Sequence, residues 1–196
     1  MVLWVETLKS TWHLHVFVQP EGVIAIPFTP LHLGPALLFG LPLRRYLHAP
    51  TFIVANVIVD VEPFLVLLLA LPYPLHGYLH TFLSASLLGI GLGYLMFMLE
   101  APLHPHFKAL LLEGDRRPGL RSFMAAGVSG TTLHVLLDAP LYSDIRPFYP
   151  ITTNPLYNPS VSHLINRFCI FAGIMGMIIY VAISAYRLYA WMRGKH

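Results

Sequence analysis

The sequence contains very little charge. Only 11% of its 196 residues are Asp, Glu, Lys or Arg, whereas a soluble domain carries about 25%. Hydrophobic residues make up 56%, and the mean hydropathy is +0.65. Because the deficit extends along the whole chain, it excludes an ordinary soluble domain and predicts an integral membrane protein. The length fits about one domain.

Cysteine is almost absent, and so are the basic patches of nucleic-acid-binding proteins. Cys169 is the single cysteine, which excludes an intrachain disulfide and a cysteine-rich zinc site. The net charge is +3, and no basic run with interleaved aromatic residues occurs outside the flanks of the apolar stretches. We therefore interpret the positive charges as cytosolic anchors of a membrane protein and expect no nucleic-acid partner.

What the sequence does contain is a series of long apolar runs. Four of them approach the roughly 20 residues that cross a bilayer, namely 51–71, 80–99, 120–141 and 168–192. A fifth run, 31–43, is shorter and contains two prolines, so it is either a short or kinked span continuing to Leu47 or a re-entrant piece. We predict an all-α membrane bundle of four to five transmembrane helices over residues 31–196, preceded by an interfacial arm at 1–30.

The positions of the basic residues predict an orientation. If all five runs cross, nine of the twelve Lys and Arg residues fall on one side, and the three on the other side are Lys9, Arg146 and Arg167. The positive-inside rule then predicts a multi-pass protein of the cell (inner, cytoplasmic) membrane with an outer N-terminus and a cytosolic C-terminus. A re-entrant 31–43 would leave the other four spans in place but put the N-terminus inside.

A few ionisable residues lie inside or at the mouths of these apolar runs. Such groups are costly in hydrocarbon and usually serve a function. In the predicted topology all of them lie in the outer half or near the middle of the bundle. The candidates are His32, Asp60, Glu62, His76, His80, His134 and Asp138.

Their spacing places several of these residues together. His134 and Asp138 are four residues apart, so they share one face of a helix. His76 and His80 have the same spacing, provided that the helix begins early enough. A mixed cluster of imidazoles and carboxylates suits zinc, or manganese or iron where oxygen ligands dominate.

Asp60 and Glu62 are two residues apart, which on a continuous helix would point them about 200° away from each other. Both can face one site only if Pro63 breaks the helix there. One divalent cation would then supply the countercharge for Asp60 and Asp138. We interpret Asp60 as a ligand and Glu62 as the general base for a metal-bound water, which makes these two the candidate catalytic residues.

Four segments, in order over residues 27–150, resemble the inner-membrane metal-dependent hydrolases of the YdjM type. They are TPLHLGPALLFG with His32, IVDVEP with Asp60 and Glu62, LHGYLHTF with His76 and His80, and LHVLLDAPLYSDIRPFYP with His134 and Asp138. Leu75 stands where the family has the first histidine of its third element, and His76 follows it. The resemblance implies metal-dependent hydrolysis of a phosphoester or lipid.

Three functions follow as expectations. The first is a hydrolase in which His32, Asp60, His80, His134 and Asp138, with His76 as a further candidate, hold a divalent metal, zinc above manganese or iron, that activates a water. Its substrate would be an ester or phosphoester, such as a lipid of the surrounding membrane. The second is a haem-binding protein that uses His80 and His134. The third is a structural subunit of a larger membrane complex.

Overall fold

The computed structural model describes residues 30–112 and 118–194, and the regular structure in these ranges is entirely helical. This confirms the all-α prediction, whereas the predicted arm at 1–30 lies almost wholly outside the described residues. Short 3-10 turns occur at Pro30–His32, Tyr78–His80 and Pro159–Val161. The α-helices are α1 (Leu33–Leu43), α2 (Ala49–Ile58), α3 (Val61–Leu68), α4 (Phe82–Met98), α5 (Glu100–Ala109), α6 (Leu120–Asp138) and α7 (Ser162–Arg193).

Helix α6 packs between α2 and α4, and α1 packs between α2 and α7. The contact between α4 and α6 is close because its facing residues are small. A Cβ atom on Gly93 would lie 2.7 Å from the Phe123 carbonyl oxygen, a distance that no side chain tolerates. The Thr131 hydroxyl also donates a hydrogen bond of 2.7 Å to the Ala85 carbonyl of α4. Small residues and interhelical hydrogen bonds of this kind hold helices together in lipid.

Two prolines explain where the helical path breaks. Pro63 follows the gap between α2 and α3, and Pro102 follows the 87° bend between α4 and α5. A proline lacks an N–H and its ring clashes with the carbonyl four residues earlier. Those carbonyls belong to Val59 and Met98, which are the residues where the two helices are interrupted. The helix is thus interrupted just before Pro63, which is the condition under which the sequence allowed Asp60 and Glu62 to face one site.

Among the described residues, two helical stretches are long and apolar enough to cross a membrane, Ala49–Leu68 and Pro159–Arg193, and a third qualifies if α4 and α5 count as one bent span. Helix α1 is apolar but has only 11 residues, and it ends before Leu47. These spans support a membrane protein. The larger number of four to five crossings stays a prediction.

The bundle has two chemically different ends. The basic end holds the α1–α2 turn, α5 and the start of α6, together with Arg44, Arg45, Lys108 and Arg121. It is held together by Ser122, whose hydroxyl donates a hydrogen bond to the Tyr46 carbonyl at 2.8 Å. The opposite end, which we call the cluster end, contains the last turns of α2 and α6 and the turn Tyr78–His80.

Candidate metal centre

Four buried side chains converge at the cluster end. Asp60, His80, His134 and Asp138 each place one potential ligand atom within 4.8 Å of the other three. None of them is more than 3% exposed. They come from the α2–α3 break, the turn before α4 and the last turn of α6. Within the described ranges this is the one group of three or more such side chains with metal-binding spacing.

His134 and Asp138 lie one turn apart on α6, as their spacing predicts. The Nε2 atom of His134 is 3.1 Å from Asp138 Oδ2 and 3.4 Å from Asp60 Oδ1. On the other side of the ring, Nδ1 donates a hydrogen bond of 2.7 Å to the Asn56 carbonyl oxygen. That bond requires a proton on Nδ1, which leaves Nε2 as the ring nitrogen next to the two carboxylates.

His80 is oriented in the same way by a carboxylate. Its Nδ1 donates to Glu62 Oε2 at 3.0 Å, and its Nε2 lies 3.9 Å from Asp138 Oδ2. The next residue, Thr81, caps α4 by accepting a hydrogen bond from the Ser84 N–H at 3.1 Å. The cap therefore fixes the start of α4 directly after His80 and keeps the imidazole at the buried end of the helix.

Three atoms of this group lack a hydrogen-bond partner among the described residues although their neighbours are close. These atoms are His80 Nε2, His134 Nε2 and Asp138 Oδ1. Leaving a buried polar atom unpaired costs about 1–3 kcal/mol. The Nε2 atoms of His134 and His80 lie 3.1 and 3.9 Å from Asp138 Oδ2, whereas Asp138 Oδ1 lies 3.1 Å from His32 Nε2.

The donor set fits a divalent cation. Two carboxylates carry a formal charge of −2, and two neutral imidazoles add none, so one divalent ion balances the group. Nitrogen and carboxylate oxygen are ligands of zinc, and oxygen-richer sites also suit manganese or iron. The hydrogen bonds that Glu62 and the Asn56 carbonyl accept are the outer contacts that orient metal-binding histidines.

His32 adjoins the group without belonging to the four mutually close ligands. Its Nε2 lies 3.1 Å from Asp138 Oδ1, and its ring packs edge-to-face on that of His134 with centroids 4.5 Å apart. The side chain is buried, and its Nδ1 has no partner among the described residues. His32 thus lies beside the group, and its role as a ligand stays a prediction.

Glu62 occupies a different place from the one predicted for a general base. Its carboxylate accepts hydrogen bonds from the backbone N–H groups of Gly77 and Leu79 at 3.0 and 3.1 Å and from His80 Nδ1. The Glu62 carboxylate therefore contacts the Nδ1 side of the His80 ring, whereas the other three members of the group lie on the Nε2 side. In this position Glu62 shapes the turn that delivers His80, and the geometry lends no support to a role as base.

His76 also lies outside the group. Its Nδ1 is 3.0 Å from Asp144 Oδ1, and its backbone N–H donates to Asp144 Oδ2 at 3.1 Å. Burial acts to raise the pKa of Asp144, but the hydrogen bonds and charge of His76 outweigh burial and lower that pKa below its usual value of 3.8. The His76 ring packs against His80 with centroids 4.8 Å apart. His76 is thus a neighbour of the candidate ligand His80.

A second set of histidines and a carboxylate lies at the basic end. His48 Nε2 is 3.4 Å from Glu100 Oε2, and the other oxygen of Glu100 is 3.2 Å from His104 Nδ1. The His48 ring stacks on Phe123 with centroids 4.0 Å apart. Burial, reinforced by His104, lowers the pKa of His48 from 6.5 to about 4. Sequence analysis missed this buried residue, because a histidine before a helix resembles an ordinary loop residue.

Comparisons of the chain with protein-family models, curated proteins and solved structures found no match. The resemblance to the YdjM-type hydrolases therefore depends on the four sequence segments alone, and the function has to be argued from the geometry of the site.

Proposed function

We propose that this protein is a membrane-embedded, metal-dependent hydrolase that cleaves a phosphoester or ester bond, with Asp60, His80, His134 and Asp138 as metal ligands. The observation that carries the proposal is the convergence of these four buried side chains, in which the Nε2 atoms of His80 and His134 have no hydrogen-bond partner among the described residues. Ionisable groups buried in a membrane protein cost free energy, and they are usually retained because they serve a function.

A bound divalent ion would supply Lewis acidity and lower the pKa of a bound water to about 7. The protein's own residues prepare for this. Asp60 and Asp138 supply the negative charge that retains the ion. Glu62 and the Asn56 carbonyl keep the Nδ1 protons of His80 and His134 engaged, so both Nε2 atoms stay available. We propose zinc, with manganese and iron as alternatives.

We further propose that the chain crosses the cytoplasmic membrane four to five times with its C-terminus in the cytosol. The gathering of Arg44, Arg45, Lys108 and Arg121 at one end supports this orientation under the positive-inside rule. The 87° bend would lay α5 along the membrane surface at that end if α4 crosses upright. The metal centre then lies in the outer half, within reach of membrane lipids as substrates.

The haem alternative finds less support in the same geometry. A haem iron would need His134 Nε2, but carboxylate oxygens of Asp138 and Asp60 lie 3.1 and 3.4 Å from that atom, where the porphyrin would have to fit. An absorption spectrum of the purified protein tests it directly, because a bound haem gives a Soret band. A purely structural subunit is distinguished by a lack of bound metal.

The experiment is elemental analysis of the purified full-length protein together with a hydrolysis screen on phospholipids and soluble esters. We compare Asp138→Asn with Glu100→Gln, which removes a carboxylate charge at the basic end. About one metal ion per chain and hydrolysis are expected in the wild type and in Glu100→Gln, and both should be lost in Asp138→Asn. Metal-free wild-type protein, or full metal content in Asp138→Asn, would contradict the proposal.

A further inference from the structure

A cavity opens beside the candidate metal centre. Its volume is about 350 Å³, which is within the usual range for small-molecule sites. Its walls come from the segment that delivers His80 and from the loop after α6. His76 lines the cavity and also packs on His80 with ring centroids 4.8 Å apart. One imidazole ring therefore separates the cavity from a proposed metal ligand.

Of the two residues with charged side chains that line the cavity, Arg146 is the one that favours an anion. The carboxylate of Asp144 is paired with His76, which contacts both of its oxygens. Arg146 is exposed and lines the same cavity, and no carboxylate among residues 30–112 and 118–194 forms an ion pair with it. The positive charge of Arg146 therefore remains available for a ligand.

Residues with hydrogen-bond donors line the same cavity. Ser143, Tyr149 and Thr152, each of which carries a hydroxyl group, line it together with Arg146. A guanidinium offers five N–H donors in a planar fork that matches the oxygens of a phosphate group. A neutral carboxylic ester would leave this fork and its charge without a counterpart.

We propose that this cavity binds the phosphate group of a phosphate-ester substrate and that Arg146 is the anion-binding residue. The inference rests on the proposed function and narrows it from esters in general to phosphoesters. The phosphate would belong either to a lipid headgroup or to a soluble ester. The partly exposed rings of Tyr73, Tyr78 and Tyr149 at the rim suit the headgroup level of a membrane, where tyrosine is enriched.

The test measures binding of non-hydrolysable phosphonates to the full-length protein in a neutral detergent by titration calorimetry. One probe is the phosphonate analogue of dihexanoyl phosphatidic acid, and the other is the phosphonate analogue of glycerol phosphate, which lacks acyl chains. The variants are Arg146→Gln and Arg146→Lys. Arg167→Gln is the matched control, because Arg167 is also exposed and lies near the start of α7. Metal content is measured on every sample.

Arg146→Gln should weaken binding about tenfold or more, since it removes charge-assisted hydrogen bonds. Arg146→Lys should retain part of the affinity, and Arg167→Gln should bind as the wild type does. A loss with the lipid analogue alone supports the cavity with a lipid as the phosphate source, and a loss with both probes supports it with a soluble ester as a source.

Unchanged affinity of Arg146→Gln for both probes would overturn this inference. If such a variant still holds metal and hydrolyses esters, phosphate binding in the cavity is contradicted, whereas the proposed metal-dependent hydrolysis is not. If the protein holds no metal but Arg146→Gln still weakens phosphonate binding, the proposed metal-dependent hydrolysis is contradicted, whereas the proposed phosphate site is supported.

Discussion

Imidazole and carboxylate groups meet at both ends of α2 and α6, but the two ends are built differently. At the cluster end, two carboxylates and two imidazoles lie within 4.8 Å of one another and are almost fully buried. At the basic end, one carboxylate, Glu100, lies between His48 and His104, and the side chain of His104 is 43% exposed. The residue types are alike, so their identities alone do not distinguish a metal site.

The difference lies in the number of carboxylates and in their burial. Asp60 and Asp138 bring two carboxylates into a dry interior, where a negative charge needs a countercharge. Glu100 is 22% exposed, so water can stabilise its charge. His48 is held between Phe107 and Phe123, and burial keeps it neutral. The basic end is therefore an aromatic and polar packing contact, whereas the cluster end has the composition of a metal centre.

Removing the metal should have the largest effect. A bound ion stabilises the folded state by about 4 kcal/mol when its free concentration is 1,000 times the dissociation constant. A chelator should therefore lower the apparent Tm of the wild type strongly, as measured by thermal denaturation in detergent. His134→Ala should show no chelator response, whereas Glu100→Ala should respond as the wild type does. A chelator-induced fall in the Tm of His134→Ala would contradict metal binding at the cluster end.

A larger side chain at Gly130 should disturb both ends together. A Cβ atom there would lie 2.6 Å from Ala55 Cβ and 2.7 Å from the Phe52 carbonyl oxygen, so α6 would have to move away from α2. We expect Gly130→Leu to destabilise the protein by about 3 kcal/mol and to reduce its metal content.

Gly91→Ala is the matched control, because a Cβ atom at Gly91 meets no described atom within 4 Å. It should leave metal content unchanged and stabilise helix α4 by up to about 1 kcal/mol. Equal destabilisation by both substitutions would show that α6 is not held against α2 by close backbone contact.

Exchanging the glutamate at each end compares the two sites directly. Glu62→Gln weakens the hydrogen bond that orients His80, and such outer contacts are worth about 10- to 100-fold in metal affinity. Glu100→Gln should leave metal affinity unchanged. Competition with a fluorescent chelator measures both, and a similar loss in the two variants would mean that the effect is not specific to the cluster end.

The smallest expected effect concerns pH at the basic end. Since the pKa of His48 is lowered from 6.5 to about 4, the unfolded chain binds a proton below pH 6.5 that the folded protein does not. The stability contributed by the neutral ring is complete above pH 6.5 and is lost as the pH falls towards 4, by about 1 kcal/mol between pH 6.5 and 5.5.

Thermal denaturation at several pH values compares the wild type with His48→Phe, which keeps the ring packing without a titratable group. The variant should lose less stability than the wild type between pH 6.5 and 5.5, and metal release affects both proteins alike. Identical pH profiles would contradict a buried neutral His48.

Some features of the site were predictable because they depend on local geometry. The pairing of His134 with Asp138 follows from helical periodicity, and the break before Pro63 follows from a missing N–H. Others were not predictable. The partner of His134 Nδ1 is the backbone carbonyl of Asn56, which no side-chain pattern reveals. The contact of Glu62 with the far side of His80 depends on how the turn Tyr78–His80 meets α3.

The amino-acid sequence alone determined the helical class, the membrane character and the short set of ionisable residues that an apolar interior must accommodate, since these depend on composition and on local spacing. Only the tertiary structure decided that Asp60, His80, His134 and Asp138 form the group, that His32 adjoins it, and that Glu62 and His76 stand outside it. The physical reason is that a metal site requires lone pairs to meet within a few ångströms. That meeting is set by the packing of α2, α4 and α6 across glycine contacts between residues far apart in the chain.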